Sequence, residues 1–110
     1  MSITVSTSEN KEVVIHISDE MTIYTVLEQK NSLLPYLKTG HTIHVDLSDV
    51  SELDSAGIQL LIFLKKQALK IGAEFKLQNH SQAVFEVIEL FKLTEFFTDP
   101  VVISAEWKLS

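Results

Sequence analysis

The sequence predicts an α/β fold in which one mixed sheet of four to five strands carries its helices mainly on one face. Three observations point there. Two short β-rich runs at the N-terminus are followed by alternating helical and extended patterns. The run Thr42-Ile43-His44-Val45-Asp46-Leu47 is too apolar for an exposed edge and suits a central parallel strand between crossover helices. The chain has 110 residues, 45% of them hydrophobic, with no polar tract, so residues 1–110 read as a single domain with a two-layer core.

The elements follow in order. Ile3 to Thr7 alternates, Val13-Val14-Ile15-His16-Ile17 is strongly β-branched, and Glu9-Asn10-Lys11-Glu12 between them reads as a hairpin connection. From about Thr22 the period becomes helical. Ile23, Val26, Leu27, Leu33, Leu34 and Leu37 fall on one face, and Thr25 with Glu28 has the spacing of a capping box. Pro35 should kink that helix or end it and start a last short turn. Lys38 to His41 is a loop before the Thr42–Leu47 strand, and a short acidic loop follows the strand. A second helix runs from about Ser55 to Ile71 and stops at Gly72. Glu74 to Gln78 is a fourth strand. Ser81 caps a third helix reaching about Phe91, with Val84, Val87, Ile88 and Phe91 toward the sheet. Phe96-Phe97-Thr98 and Val101-Val102-Ile103-Ser104, separated by Pro100, could each add a last short strand.

Composition removes several classes of function. A net charge of -6 opposes binding to nucleic acid or anionic lipid. All nine basic residues are lysines, so no arginine fork is available for phosphate recognition, which argues against a kinase or nucleotide hydrolase. There is no cysteine for a disulfide, thiol catalysis or a zinc–cysteine site. No segment is apolar enough for membrane insertion, and Met1 to Val5 lacks the regions of a signal peptide, so a cytoplasmic protein is expected. His16, His41, His44 and His80 lie in separate segments with no ligand-like helical pair. With only Gly40, Gly57 and Gly72 there is no phosphate-binding loop, and no Gly-x-Ser-x-Gly elbow is present. No cofactor is implied.

The most informative stretch is Asp54-Ser55-Ala56-Gly57, at the junction of the central strand and the second helix. The first amides of a helix lack intrahelical partners, and the dipole favours anions there. A phosphate on Ser55 would find a favourable seat. The plainer reading is that Ser55, or Asp54 before it, caps the helix. Asp46, Asp49, Glu52 and Asp54 crowd this end. They read as a solvated loop or a patch for a kinase rather than a metal loop, because their spacing fits none. At 100 degrees per residue, Gly57, Leu60, Leu61, Leu64, Ala68 and Ile71 make the core stripe of the helix. Ile58, Ile62 and Leu69 form a second stripe that starts beside Ser55. Two readings of it stand side by side: burial against neighbouring helices, or an exposed docking surface.

The run from Val45 to Leu61 resembles the central signature of STAS domains: a strand ending in Asp-Leu-Ser, a Val shortly after, Asp-Ser/Thr-x-Gly, and an apolar helix. Glu20-Met21-Thr22-Ile23-Tyr24-Thr25 is similar to the entry of that family's first helix. Gly72 to Leu77 is similar to the strand after its second, and Ala83 to Leu90 to its third. Many relatives have Gly before the Glu of the first of these segments, where this chain has Asp19. The resemblance, which covers nearly the whole chain, implies a bacterial phosphoprotein of the anti-sigma factor antagonist type, with Ser55 as phosphoacceptor. It implies signal transduction by protein–protein interaction. The partner would be an anti-sigma factor that is also a serine kinase, bound through Asp54, Ser55, Ala56, Gly57, Ile58 and Ile62. Two alternatives remain at this stage. One is a STAS subunit of a larger lipid-transport or chemoreceptor-signalling assembly, with the switch unused. The other is a nucleotide or small-molecule sensor. An enzyme is not expected, since no second catalytic group is placed with Ser55.

Overall fold

The computed structural model describes residues 3–8 and 10–93. The proposed strands at Phe96–Thr98 and Val101–Ser104 lie outside these. Among the described residues the elements are β1 (Ile3–Thr7), β2 (Glu12–Met21), α1 (Val26–Leu33), β3 (Thr42–Leu53), α2 (Ser55–Ile71), β4 (Glu74–Gln78) and α3 (Gln82–Leu90). They form one four-stranded sheet in the order β1-β2-β3-β4. β1 and β2 are an antiparallel hairpin, and β2, β3 and β4 run parallel.

Alternation along the strands makes the sheet one-sided. Val13, Ile15 and Ile17 on β2, Ile43, Val45 and Leu47 on β3, and Phe75 on β4 are all buried. They receive Leu60, Leu61, Leu64 and Ala68 from α2 and Val84 and Ile88 from α3 in one continuous core. Residues between them, such as Val14 and Lys76, are exposed on the other face, with His16, His44 and Asp46 half-buried there. That face is tied by ring–carboxylate pairs, His44 to Glu12 at 2.6 Å and His16 to Asp49 at 2.8 Å.

Both long strands outrun their sequence signals. The acidic segment after Leu47 is not a loop, because β3 continues to Leu53. It stays in the sheet because β2 also continues, pairing Ser18 with Asp49, Asp19 with Val50, Glu20 with Glu52 and Met21 with Leu53. Register shifts after His16 and Asp19 break the strict alternation that marks a strand in sequence. Asp19, at the position where the STAS resemblance leads one to expect glycine, takes a left-handed φ of 69°. That conformation explains why glycine suits the position.

The helix ends carry readable chemistry. Pro35 ends α1 and opens a 3-10 turn, Leu34–Tyr36, as expected. The proposed Thr25–Glu28 capping box is absent. Thr25 Oγ1 instead accepts from the Thr22 amide at 2.9 Å and donates to the Glu20 carbonyl at 3.1 Å. Thr22 in turn receives the amides of Thr25 and Val26 on its carbonyl, so it starts the first turn. At the far end of α2, Gly72 has φ 77°, and the Ala73 amide bonds the Ala68 carbonyl at 2.9 Å, a Schellman closure. Ser81 caps α3 by accepting from the Val84 amide at 3.2 Å. Phe91 does not face the sheet as predicted. α3 ends at Leu90, Lys92 turns left-handed at φ 56°, and Leu93 enters the core in its place.

One core residue is a lysine. Lys65 is 2% exposed, and its Nζ donates to the Phe75 carbonyl at 2.9 Å. Glu74 turns its amide inward to the His41 carbonyl, so the next carbonyl along β4 points away from β3. Lys65 thus satisfies an acceptor facing away from β3 on β4, the outermost strand among the described residues.

Candidate functional site

The candidate site is built where β2 and β3 end and α2 begins. Asp54 is the N-cap of α2. Its Oδ1 accepts from the Gly57 amide at 3.0 Å, and its Oδ2 accepts from the Ile23 amide at 3.0 Å. One carboxylate therefore caps the helix and ties it to the β2–α1 turn. These amides hold its pKa below the usual carboxylate range, with the Ile23 amide the largest cause. Asp46 is lowered too. Burial pushes it upward, but hydrogen bonds from Ser48 and Asn79 and the neighbouring His16 outweigh that.

The acidic cluster expected around Ser55 is dispersed. Asp46 is held by the Ser48 amide at 2.9 Å and by Asn79 at 3.1 Å, and Asp49 pairs with His16. Among the described residues, no group of three or more His, Asp or Glu side chains is placed to hold a metal ion. Ser55 is the first residue of α2 and is exposed. Ala56 is half-buried behind it. Gly57 is buried, and its Cα lies so close to β2 that a Cβ would overlap the Met21 carbonyl oxygen and Leu53 Cδ1. The helix start is thereby pressed onto the strand ends.

The exposed-stripe reading of Ile58 and Ile62 fails. They are 4% and 7% exposed and belong to the core. On this flank of α2, Ser55, Ile58, Gln59 and Ile62 line a recess of about 280 Å³ together with Phe91 and Leu93, and Ser55 and Gln59 stay exposed at its rim. Leu69 alone of that stripe is exposed. The free apolar surface lies on the other side of Ser55, where sequence reasoning did not place it. Ile23, Tyr24 and Leu27 are 68%, 90% and 70% exposed. The chain turns through residues 23–25 before α1 begins at Val26, so the buried positions shift to Thr22, Gln29 and Leu33. The polar core residues hid this shift, since Thr22 Oγ1 donates to the Glu20 carboxylate and Gln29 Nε2 donates to the Glu20 carbonyl. A groove of about 530 Å³ runs between α1 and α2, lined by Val26, Leu27, Lys30, Ala56, Gln59, Leu60 and Phe63. Lys30 Nζ sits 4.7 Å from the Phe63 ring centroid.

The family model described as "Mlab, STAS domain" matches residues 5–103. The chain belongs to the STAS domain family. The anti-sigma-B factor antagonist of Bacillus subtilis is 30% identical over 95 residues, covering 86% of this chain and 84% of that protein. The unphosphorylated form of the anti-sigma factor antagonist SpoIIAA superposes with a TM-score of 0.69 at 20% identity, covering 83% of this chain and 81% of that one. SpoIIAA of Bacillus in its phosphorylated form gives 0.65 at 19% identity, covering 94% and 97%. An anti-sigma factor antagonist from Mycobacterium paratuberculosis gives 0.72 at 19% identity, covering 87% and 81%. These likenesses establish the STAS fold for the chain and similarity to anti-sigma factor antagonists. No helix among the described residues is long and apolar enough to cross a membrane.

The Asp54 bridge yields a pH prediction. Its folded pKa is depressed, so its contribution is complete above the unfolded value of about 3.9 and is lost as pH falls through the lower folded value. Asp54→Asn keeps an acceptor for Gly57 but removes the charge that also holds the Ile23 amide. It should cost about 1 kcal/mol at pH 7 and reduce the loss of stability on acidification. Urea melts at pH 7 and pH 3 check this; equal acid sensitivity of the two proteins would contradict it.

Proposed function

We propose that this STAS domain is a phospho-switched protein–protein interaction module of the anti-sigma factor antagonist type. It acts in the cytoplasm, without catalysis of its own, on a partner that is an anti-sigma factor and serine kinase. The observation that carries the reading is the position of Ser55. It is exposed on the first turn of α2, beside a carboxylate-locked helix start, with an apolar groove on its flank. The relative in Bacillus subtilis named as an anti-sigma-B factor antagonist supports it, as does the existence of SpoIIAA in phosphorylated and unphosphorylated forms.

The docking face in this reading consists of Asp54, Ser55 and Ala56 with the exposed Ile23, Tyr24 and Leu27. Gly57 contributes by holding the helix start in place. Ile58 and Ile62 act from beneath as support. A phosphoserine carries about -1.5 to -2 charge. At a desolvated interface next to Asp54 and Glu52 it would leave charge unpaired or repelled. A penalty of ~3 kcal/mol lowers affinity by roughly two orders of magnitude.

Phosphopeptide mapping after co-expression with the cognate kinase should find Ser55 modified and no other residue. Modification elsewhere with Ser55 untouched defeats the assignment. Ser55→Ala should change stability by less than about 1 kcal/mol, because Asp54 and not Ser55 supplies the cap. Ser55→Asp should fold, since an acid suits a helix start, and bind the partner far more weakly. Equal affinity for Ser55→Asp and the unmodified protein would show that charge here is not the switch.

A further inference from the structure

Resting on the reading that the flank of Ser55 docks a protein partner, we propose that the groove between α1 and α2 receives an acidic amphipathic helix of that partner. The distribution of charge points to the acid. The chain has 15 acidic residues, yet the 17 residues of α2 include none. α2 carries Lys65 in the core and Lys66 and Lys70 on the surface. α1 adds Lys30, half-buried, with its Nζ 4.7 Å from the Phe63 ring centroid. Lys30 is the one charged side chain among the described residues that line the groove. Glu28, the acid of α1, lies about 200 degrees round the helix from Lys30 and does not line it. The carboxylates nearest in interest are committed elsewhere. Glu12 and Asp49 pair with His44 and His16, and both oxygens of Asp54 are held by amides. A chain of net charge -6 therefore sets a cation, and no carboxylate, into the wall of its apolar groove.

The shape of the groove points to a helix. Both walls are helices, whose backbone groups are bonded internally, so an extended segment would find no edge to pair with. A helix arrives with its own backbone satisfied and needs only room for side chains. The groove follows α2 from Ala56 to Phe63, which is seven residues, about 10 Å or two turns. That length takes apolar side chains at i, i+3 or i+4, and i+7 of one helix, against Leu27, Leu60 and Phe63. The Asp54–Ile23 bond closes the end beside Ser55, and Lys30 over Phe63 marks the other end. An acid one turn past the last apolar anchor meets the Lys30 ammonium. Lys70 is seven residues beyond Phe63, on the same line of α2 and exposed, and meets a second acid two turns farther on. Nucleic acid brings no apolar row for Leu27 and Leu60, and an anionic membrane would face the whole negative charge of the chain.

Photocross-linking in the native cells of the full chain tests this, with p-benzoylphenylalanine placed at position 63. The segment joined to it is sequenced by mass spectrometry. The expected segment has apolar residues at helical spacing followed by Asp or Glu. Lys30→Glu should lower the yield at least about tenfold, and Lys30→Arg should keep it within about twofold. Lys76→Glu, the same charge change on the open face of the sheet, should leave the yield unchanged, and far-UV circular dichroism should be the same for all. No product at position 63 overturns the proposal, as does equal yield with Lys30→Glu. A basic or non-amphipathic segment, a nucleic acid, a lipid or a segment of this same chain overturns it too. A kinase joined instead to a probe at position 24 would then leave the switch at Ser55 intact. An acidic helix from a protein that is neither an anti-sigma factor nor a kinase supports the groove assignment and defeats the proposed function.

Discussion

Gly57→Ala is expected to cost about 3 kcal/mol or more, although alanine is the better helix former. In an exposed helix the change would gain about 1 kcal/mol. Here the new Cβ would overlap the Met21 carbonyl oxygen and Leu53 Cδ1, and it would lie 3.1 Å from the Met21 carbonyl carbon. Leu53 has rotamers to try, but Met21 offers backbone. That strand end cannot retreat without losing its pairing to Leu53 in β3 and the bond from the Asp54 amide to the Met21 carbonyl. Overpacking against an immovable wall typically costs 1–3 kcal/mol or more, and it exceeds the gain in helix propensity. The displaced helix start would also carry Asp54 away from the Ile23 amide. Partner affinity should therefore fall together with stability. A urea melt decides the matter: an unchanged or raised midpoint would mean that α2 does not press on β2.

The glycine of Asp54-Ser55-Ala56-Gly57 was legible as part of a resemblance, yet its physical reason appears only when the strand ends are placed. Other elements were legible directly. α2 begins at Ser55, after an acid that caps it, and ends at Gly72, so polar and glycine punctuation gave both bounds. Ser81 before Gln82 and the β-branched run of β2 are of the same kind. Local chemistry wrote those signals, so a local reading recovers them. The late halves of β2 and β3 were not legible, because Ser18 to Met21 and Ser48 to Leu53 are strands only through each other. The face of α1 was misplaced for a related reason. Thr22 and Gln29 are buried through bonds to Glu20, a residue outside the helix, while Ile23 and Leu27 stand in solvent. The site shows the same division. A cap by Ser55 or Asp54 was legible from their place at the helix start, and the structure gives it to Asp54; the second bond of Asp54, to Ile23, joins residues 31 apart and was not legible.

Ile58→Glu is expected to destabilise by about 3–5 kcal/mol and to lower the melting temperature by something on the order of 10–20 °C. Ile58 is one turn from Ser55 and 4% exposed, within the continuous core. The recess beside it is lined by Ser55, Gln59, Ile62, Phe91 and Leu93, and among the described residues this lining offers the new carboxylate no cation. The glutamate would either be protonated or prise Leu93 from its place, and both outcomes cost stability. Ile58→Val removes one methylene and should cost only about 1 kcal/mol, which separates lost packing from buried charge. Leu27→Glu supplies the contrast. At 70% exposure it should shift the melting temperature little, while placing charge on the face assigned to docking. If Ile58→Glu instead melts with the unmodified protein, the flank of α2 is open to solvent. The apolar contact next to the phosphoacceptor would then belong to Ile58 and Ile62 rather than to Ile23, Tyr24 and Leu27.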